Sequence, residues 1–203
     1  MIFVPSRNRR ASLQRFFDVG QPTLPGRVLI DDDDDSYEGM NLPEGWEFFV
    51  NSRRSTGALL NLAYRTWPDE QFYAQIGDDY VCRPLGWDVA LSESCGWNKI
   101  SWGNDGRWGE KLCTSFFVGG EIVRLFDWFA HPMLEHLYVD TVWWMVAKGS
   151  GLARYRADIE TKHINVKDKT YSERRIIKDH ATFNKLRGDA IDELINLAAE
   201  YNK

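Results

Sequence analysis

Residues 72–79 read Phe72-Tyr73-Ala74-Gln75-Ile76-Gly77-Asp78-Asp79, an apolar run that leads straight into a glycine and two acids. Aromatic and aliphatic side chains over 72–76 predict a buried strand, and Gly77 leaves room for a close approach where it ends. Just upstream, residues 55–67 carry Leu59, Leu60, Leu62 and Ala63 and stop at Pro68, which is the pattern of a helix. Further back, 47–50 and 28–30 are short strands. Residues 11–18 form a helix with Leu13, Phe16 and Phe17 at helical spacing and Gly20 as its stop, and 1–5 is a buried strand ending at Pro5. The order strand, helix, strand, strand, helix, strand predicts an α/β sheet with parallel strands.

Downstream the pattern is less regular. Helices are predicted over 86–94, 121–129 and 140–148, strands over 98–102, 111–118 and 154–160, and a loop over the glycine-rich stretch 103–109. From Ser172 the chain reads as helical, first to Leu186 and then from Asp189 to Tyr201, where Ile191, Leu194, Ile195, Ala198 and Tyr201 share one face. No internal repeat or low-complexity linker divides the chain. One domain is expected, with residues 1–171 as its core and 172–203 as a helical extension packed on it.

The composition agrees with this. The chain has 203 residues, 43% hydrophobic and 27% charged, which excludes disordered and fibrous classes. No apolar run approaches the roughly 20 residues that a membrane span needs, and Met1 to Arg7 has too short an apolar core for a secretory signal. Cys82, Cys95 and Cys113 form neither a disulfide framework nor a zinc spacing, so a reducing cytoplasm is the expected compartment. The net charge of -5 disfavours a general nucleic-acid coat. Nine tryptophans must be spent on a binding surface or on a well-filled core.

Open α/β sheets bind ligands at the carboxyl ends of their strands. Two strands end in acids there: Ile30 runs into Asp31-Asp32, and Ile76 into Gly77-Asp78-Asp79. Crowded carboxylates repel one another unless a cation or hydrogen-bond donors sit among them, and a hard divalent cation with oxygen ligands is the natural partner. Asp33, Asp34 and Asp35 read as solvated turn residues or caps. Asp140 precedes an apolar helix and fits an N-cap by residue type. Trp102, Trp108, Trp143 and Trp144 are candidates for a sugar or acceptor platform, with one of the last two expected in the core.

In order and spacing these segments resemble the GT-A glycosyltransferases, above all the family-2-like nucleotide-sugar enzymes and their small phage-type members. The resemblance extends over about residues 1–171. Val4-Pro5-Ser6-Arg7-Asn8-Arg9 is similar to the first strand and turn that hold the nucleotide, and Val28-Leu29-Ile30-Asp31-Asp32 to the second strand, whose acid faces the base or ribose. Asn51-Ser52-Arg53-Arg54 with Gly57 and Asn61 resembles the Asn…Arg-x-x-Gly…Asn segment beside the nucleotide. Ile76-Gly77-Asp78-Asp79-Tyr80 falls at the Asp-x-Asp metal motif, with Gly77 in place of the first aspartate. Leu137-Tyr138-Val139-Asp140 resembles the segment that opens the acceptor-side helix, and Ile159-Glu160-Thr161-Lys162-His163 the late strand whose histidine completes the metal shell.

The resemblance implies a GT-A fold and a metal-dependent, inverting transfer from a nucleotide-diphosphate sugar, with a UDP-type donor favoured. It implies Asp79 and His163 as ligands of Mn²⁺ or Mg²⁺, Asp78 at the sugar or ribose, and Asp140 as the base that deprotonates the acceptor hydroxyl. Pro5, Ser6, Arg7, Asn8, Arg9, Asp31, Asp32, Arg54, Gly57 and Asn61 would surround the nucleotide. Trp102, Asp105 and Trp108 would meet the acceptor, with Asp105 the fallback base. Many relatives pair two acids near the base, whereas Val139 precedes Asp140 here.

The acceptor is expected to be a saccharide or, as in some phage-type relatives, a hydroxymethylated pyrimidine in DNA. Lys162, Lys167, Lys169, Arg174, Arg175, Lys178, Lys185 and Arg187 outnumber Asp168, Glu173 and Asp179 in one stretch, an electrostatic footprint for DNA. A non-catalytic nucleotide- or metal-binding module is the alternative from another class. Calcium at Asp31 to Asp35 is disfavoured because no twelve-residue loop with a closing Glu is present.

Overall fold

The computed structural model describes residues 1–164 and 173–203. Eight strands form one sheet: β1 (Ile2–Pro5), β2 (Gly26–Asp31), β3 (Trp46–Asn51), β4 (Phe72–Gln75), β5 (Tyr80–Arg83), β6 (Ile100–Asn104), β7 (Phe116–Gly119) and β8 (Ala153–His163), in the order β3-β2-β1-β4-β7-β6-β8-β5. The first half of the chain supplies the parallel part, in which β1 lies between β2 and β4, and β3 flanks β2. β6 and β8 are also parallel, whereas β7 runs antiparallel to both its neighbours and β5 antiparallel to β8. The sheet is therefore mixed but mostly parallel, as the strand-helix alternation predicts.

The helices are α1 (Arg10–Gly20), α2 (Thr56–Thr66), α3 (Trp87–Cys95), α4 (Gly120–Phe126), α5 (Val139–Ser150), α6 (Glu173–Leu186) and α7 (Asp189–Tyr201). Alternate residues of β1 enter different cores. Ile2 and Val4 pack with Leu13, Phe16 and Phe17 of α1 and Trp87 and Leu91 of α3. Met1 and Phe3 pack with residues of α2, α4, α5, α6 and α7. A strand buried on both faces reads as a continuous apolar run, which is why these strands are visible in the sequence. Ser55 caps α2 by accepting the N–H of Ala58 at 3.3 Å.

Several elements differ from expectation, among them the helix expected over 121–129, which ends at Phe126 where Asp127 turns left-handed. β5 was not predicted, because its four residues follow the acids without a break. The strand expected over 111–118 begins only at Phe116, since Gly109–Lys111 form a 3₁₀ turn. β8 runs on to His163. Ser172, the expected start of α6, lies outside the described residues. Among the described residues no helix is long and apolar enough to cross a membrane. Cys82, Cys95 and Cys113 are free and buried.

Trp46, Trp87, Trp102, Trp128 and Trp143 are all buried, so most of the tryptophan content fills the core. Trp143 is fully buried, packs on Trp128 with ring centroids 5.1 Å apart, and donates its indole N–H to the Phe129 carbonyl at 2.8 Å. Trp143→Ala is expected to lower stability by about 3–5 kcal/mol, the cost of a large core truncation, measured by urea unfolding.

Candidate functional site

A cleft of about 770 Å³ opens where β1, β2 and β4 end, lined on that side by Pro5, Ser6, Arg7 and Asp31. Gly77, Asp78, Asp79, His163, Trp108 and Asp140 also line it. A shallower hollow of about 430 Å³, walled by Asp31 to Asp35 and Phe48, contains none of the central acids.

The centre is built by strand register. Tyr80 of β5 faces His163 of β8 across the antiparallel ladder. Asp79, the residue before Tyr80, therefore meets His163: Nε2 lies 3.0 Å from Asp79 Oδ2. The His163 ring stacks on Tyr80 at 4.8 Å, and the Ile164 N–H donates to the Asp79 carbonyl at 3.0 Å. Gly77 has a steric reason to be glycine, since a Cβ there would lie 2.8 Å from Asp79 Oδ1 and 3.0 Å from the Tyr80 ring. A side chain at this position would have to push aside the Asp79 carboxylate and the Tyr80 ring.

Asp78 and Asp79 are 2% and 6% exposed, and their charges are met from β1. Ser6 donates its hydroxyl to Asp78 Oδ2 at 2.5 Å and also meets the Tyr37 hydroxyl. Arg9 spans the pair, with Nε 3.2 Å from Asp78 Oδ1 and Nη2 2.5 Å from Asp79 Oδ2. Burial opposes the charge on Asp79, but the hydrogen bonds and charges of His163 and Arg9 outweigh it and hold the carboxyl below its ordinary value.

Asp140 stands in the first turn of α5. It is not the N-cap, because the helix begins at Val139 and Tyr138 before it adopts a left-handed conformation with φ 67°. Its Oδ1 accepts from the N–H and the hydroxyl of Thr141, at 2.7 and 3.2 Å. Part of Asp140 stays open to the cleft while protein crowds the rest. Burial pushes its carboxyl above the ordinary range, and the Thr141 bonds only partly offset this.

The other expected residues have local duties. Arg7 bonds Asp31 at 2.5 Å and forks onto Asp33. The Asn8 N–H donates to Asp34, which also accepts from Ser36, so Asp34 is a cap as expected. Asp32 is exposed and lines only the shallower hollow. Arg54 is exposed and bonds back to Ser52. Asn61 clamps the backbone of Phe129 and Ala130. Gly57 packs its backbone on the loop before α5, where a Cβ would lie 2.4 Å from the Leu134 carbonyl oxygen.

Trp102 is not on the cleft wall; its ring is fully buried and its N–H donates to the Gly109 carbonyl. Asp105 faces its own loop, where Oδ1 accepts from the N–H groups of Arg107, Trp108 and Gly109 at 2.7 to 2.9 Å. Trp108 is 46% exposed and lines the cleft, with Arg107 over its ring. Thr114, His136 and Tyr138 also line the cleft, and Tyr37 meets the Ser6 hydroxyl; of these only Tyr138 falls in a segment singled out from the sequence. Of the basic stretch, Lys162, Lys185 and Arg187 are exposed and Lys178 pairs with Glu135. Lys167 and Lys169 lie outside the described residues.

Among the described residues no three His, Cys, Asp or Glu side chains gather as a ready metal cluster. Asp79 and His163 nonetheless fit a divalent cation in part: one carboxylate oxygen and one imidazole nitrogen converge at the cleft. Two protein donors leave positions for water and phosphate oxygens, a habit of Mg²⁺ and, with its tolerance of nitrogen, of Mn²⁺. Arg9 already holds the same carboxylate oxygen, so a cation there would exchange with its guanidinium.

No protein-family model and no curated protein matches the chain. Among solved structures it is similar to a mannosyltransferase from Pyrobaculum calidifontis in complex with GDP-Man and Mn²⁺, at TM-score 0.65 and 11% identity over 98% of this chain and 72% of that one. A UDP-glucose pyrophosphorylase complexed with UDP-glucose superposes at TM-score 0.48 and 8% identity, over 91% of this chain and 98% of that one, too loosely to carry an argument. The first likeness identifies the fold as GT-A-like.

Removing Arg9 takes away the cation shared by two buried acids, leaving Ser6 on Asp78 and His163 on Asp79. Because the Asp79 carboxyl is depressed in the folded chain, its contribution to stability is present above the ordinary carboxylate value and is lost as pH falls through the folded one. With a chelator present, Arg9→Met is expected to cost about 3 kcal/mol at pH 7. That deficit should shrink as the medium is acidified and the carboxyls protonate, measured by urea unfolding across pH.

Proposed function

We propose that the protein is a glycosyltransferase that moves a sugar from a nucleotide-diphosphate donor to an acceptor hydroxyl, with inversion. One observation carries this reading: a single cleft at the strand ends is lined by the Asp79–His163 pair and by Asp140. The complex of the Pyrobaculum mannosyltransferase with GDP-Man and Mn²⁺ supports a nucleotide sugar as donor and a divalent cation as cofactor. A saccharide is the first acceptor to test, with Trp108 as its platform.

Asp79 and His163 would hold Mn²⁺ or Mg²⁺, which when bound supplies positive charge to a departing diphosphate. Arg9, and Arg7 at the mouth of β1, add charge on the same side. Asp78 is held by Ser6 and Arg9 at the sugar end. Asp140 takes the proton of the acceptor hydroxyl as that oxygen attacks the anomeric carbon and the bond to the diphosphate breaks. Both Thr141 bonds go to Oδ1, which leaves Oδ2 for the proton. A carboxylate pushed up by burial is a stronger base than an ordinary one.

Asp140→Asn is expected to lower transfer by roughly 10²-fold or more, with donor affinity within about twofold of the parent. The base must be ionised, so turnover should fall on the acid side through a value above that of an ordinary aspartate, and Asp140→Asn should abolish that limb. Asp79→Ala should lose Mn²⁺-dependent binding across a panel of UDP and GDP sugars, read by thermal shift. Unchanged Mn²⁺ affinity in Asp79→Ala would remove the metal assignment.

A further inference from the structure

The loop that leads into α5 is held from two sides. On one side is the start of α2, where the Gly57 N–H donates to the Glu135 carbonyl at 2.8 Å and the Thr56 hydroxyl meets His136 Nδ1 at 2.9 Å. On the other is α6. Asp179 is fully buried, and its carboxylate accepts three consecutive backbone N–H groups: Glu135 on Oδ1 at 2.9 Å, and His136 and Leu137 on Oδ2 at 2.8 Å each. Neighbouring contacts reinforce the dock. Tyr138 stacks on Phe183 at 4.4 Å, its hydroxyl meets His180 Nδ1 at 2.6 Å, and Lys178 pairs with Glu135.

Consecutive N–H groups that converge on one point form a concave turn suited to an anion. Without the carboxylate, all three donors would be left unpaired inside the protein. Asparagine cannot replace it, since one of the two oxygens becomes an NH₂ group that opposes an N–H. The turn ends at Tyr138, whose left-handed backbone sends the chain into α5 two residues before Asp140.

We propose that Asp179 is a positioning residue: by fixing the amides of 135–137 it sets the direction from which Asp140 enters the cleft, so that α6 is part of the active site. This rests on the reading of Asp140 as the base. Asp179 lines the same cleft, but both of its carboxylate oxygens are taken by the three amides, so it acts through the loop.

The test uses the full chain carrying Asp179→Asn, with Asp179→Ala as a second variant in which water can reach the three amides. Hydrogen exchange needs no activity. The amides of 135–140 should exchange at least tenfold faster in either variant, with those of 59–63 in α2 unchanged. Equal exchange over 135–140 in variant and parent overturns the proposal. In transfer assays, turnover should fall tenfold or more at a donor dissociation constant within twofold of the parent. Asp179→Asn should cost nothing further in an Asp140→Asn background, because it acts through that residue. A fully additive loss, or a donor affinity that weakens in step with turnover, overturns the positioning role. If the parent turns over no nucleotide sugar, the functional reading fails, and hydrogen exchange alone decides whether Asp179 sets this loop.

Discussion

Asp78 and Asp79 put two carboxylates side by side at the end of β4, almost out of reach of water, and the centre of the cleft is arranged to offset their repulsion. The compensating groups come from remote parts of the chain. Ser6 and Arg9 arrive from the turn after β1, and His163 from the end of β8. Each demands something of the fold. β1 must lie beside β4, β8 must pair with β5 in the register that puts His163 opposite Tyr80, and residue 77 must lack a side chain. A shift of one residue in that register would turn His163 to the other face.

The central parallel strands are legible in the sequence because burial on both faces makes them plain apolar runs. Ile2 to Val4 and Val28 to Ile30 show no alternation to be misread, and Pro68 and Gly20 mark helix ends by backbone chemistry. β5 was hidden for the opposite reason: Tyr80 to Arg83 is a short stretch of alternating burial that continues the acidic turn without a break. Leu112 and Cys113 look like strand residues, yet they precede β7, with Leu112 on the cleft and Cys113 in the core.

Site residues divide in the same way. Asp79 and His163 could be paired in advance only through the family resemblance; in the fold it is the β5–β8 register that brings them together. Trp102, Asp105, Asn61 and Gly57 are residue types that serve packing as readily as binding, and only the neighbour in space decides between the two. Trp102 and Trp108 are six positions apart, yet one is sealed in the core and the other open to the cleft. Asp179 sits in a helix with ordinary mixed charge, where nothing in the sequence distinguishes a carboxylate that gathers three amides from one that faces water.

Among the described residues β5 is the last strand of the sheet and has a ladder partner only in β8. Such rims open more readily than the middle of a sheet. The two side chains that face each other at the cleft sit across this weak seam, Asp79 just before β5 and His163 at the end of β8. Any ligand that bridges them also staples the rim, and by thermodynamic reciprocity whatever frays the rim weakens the ligand by the same factor. Occupancy of the cleft and closure of the sheet margin are thus two readings of one equilibrium, and the margin of this fold is a place from which binding can be tuned without touching the residues that bind.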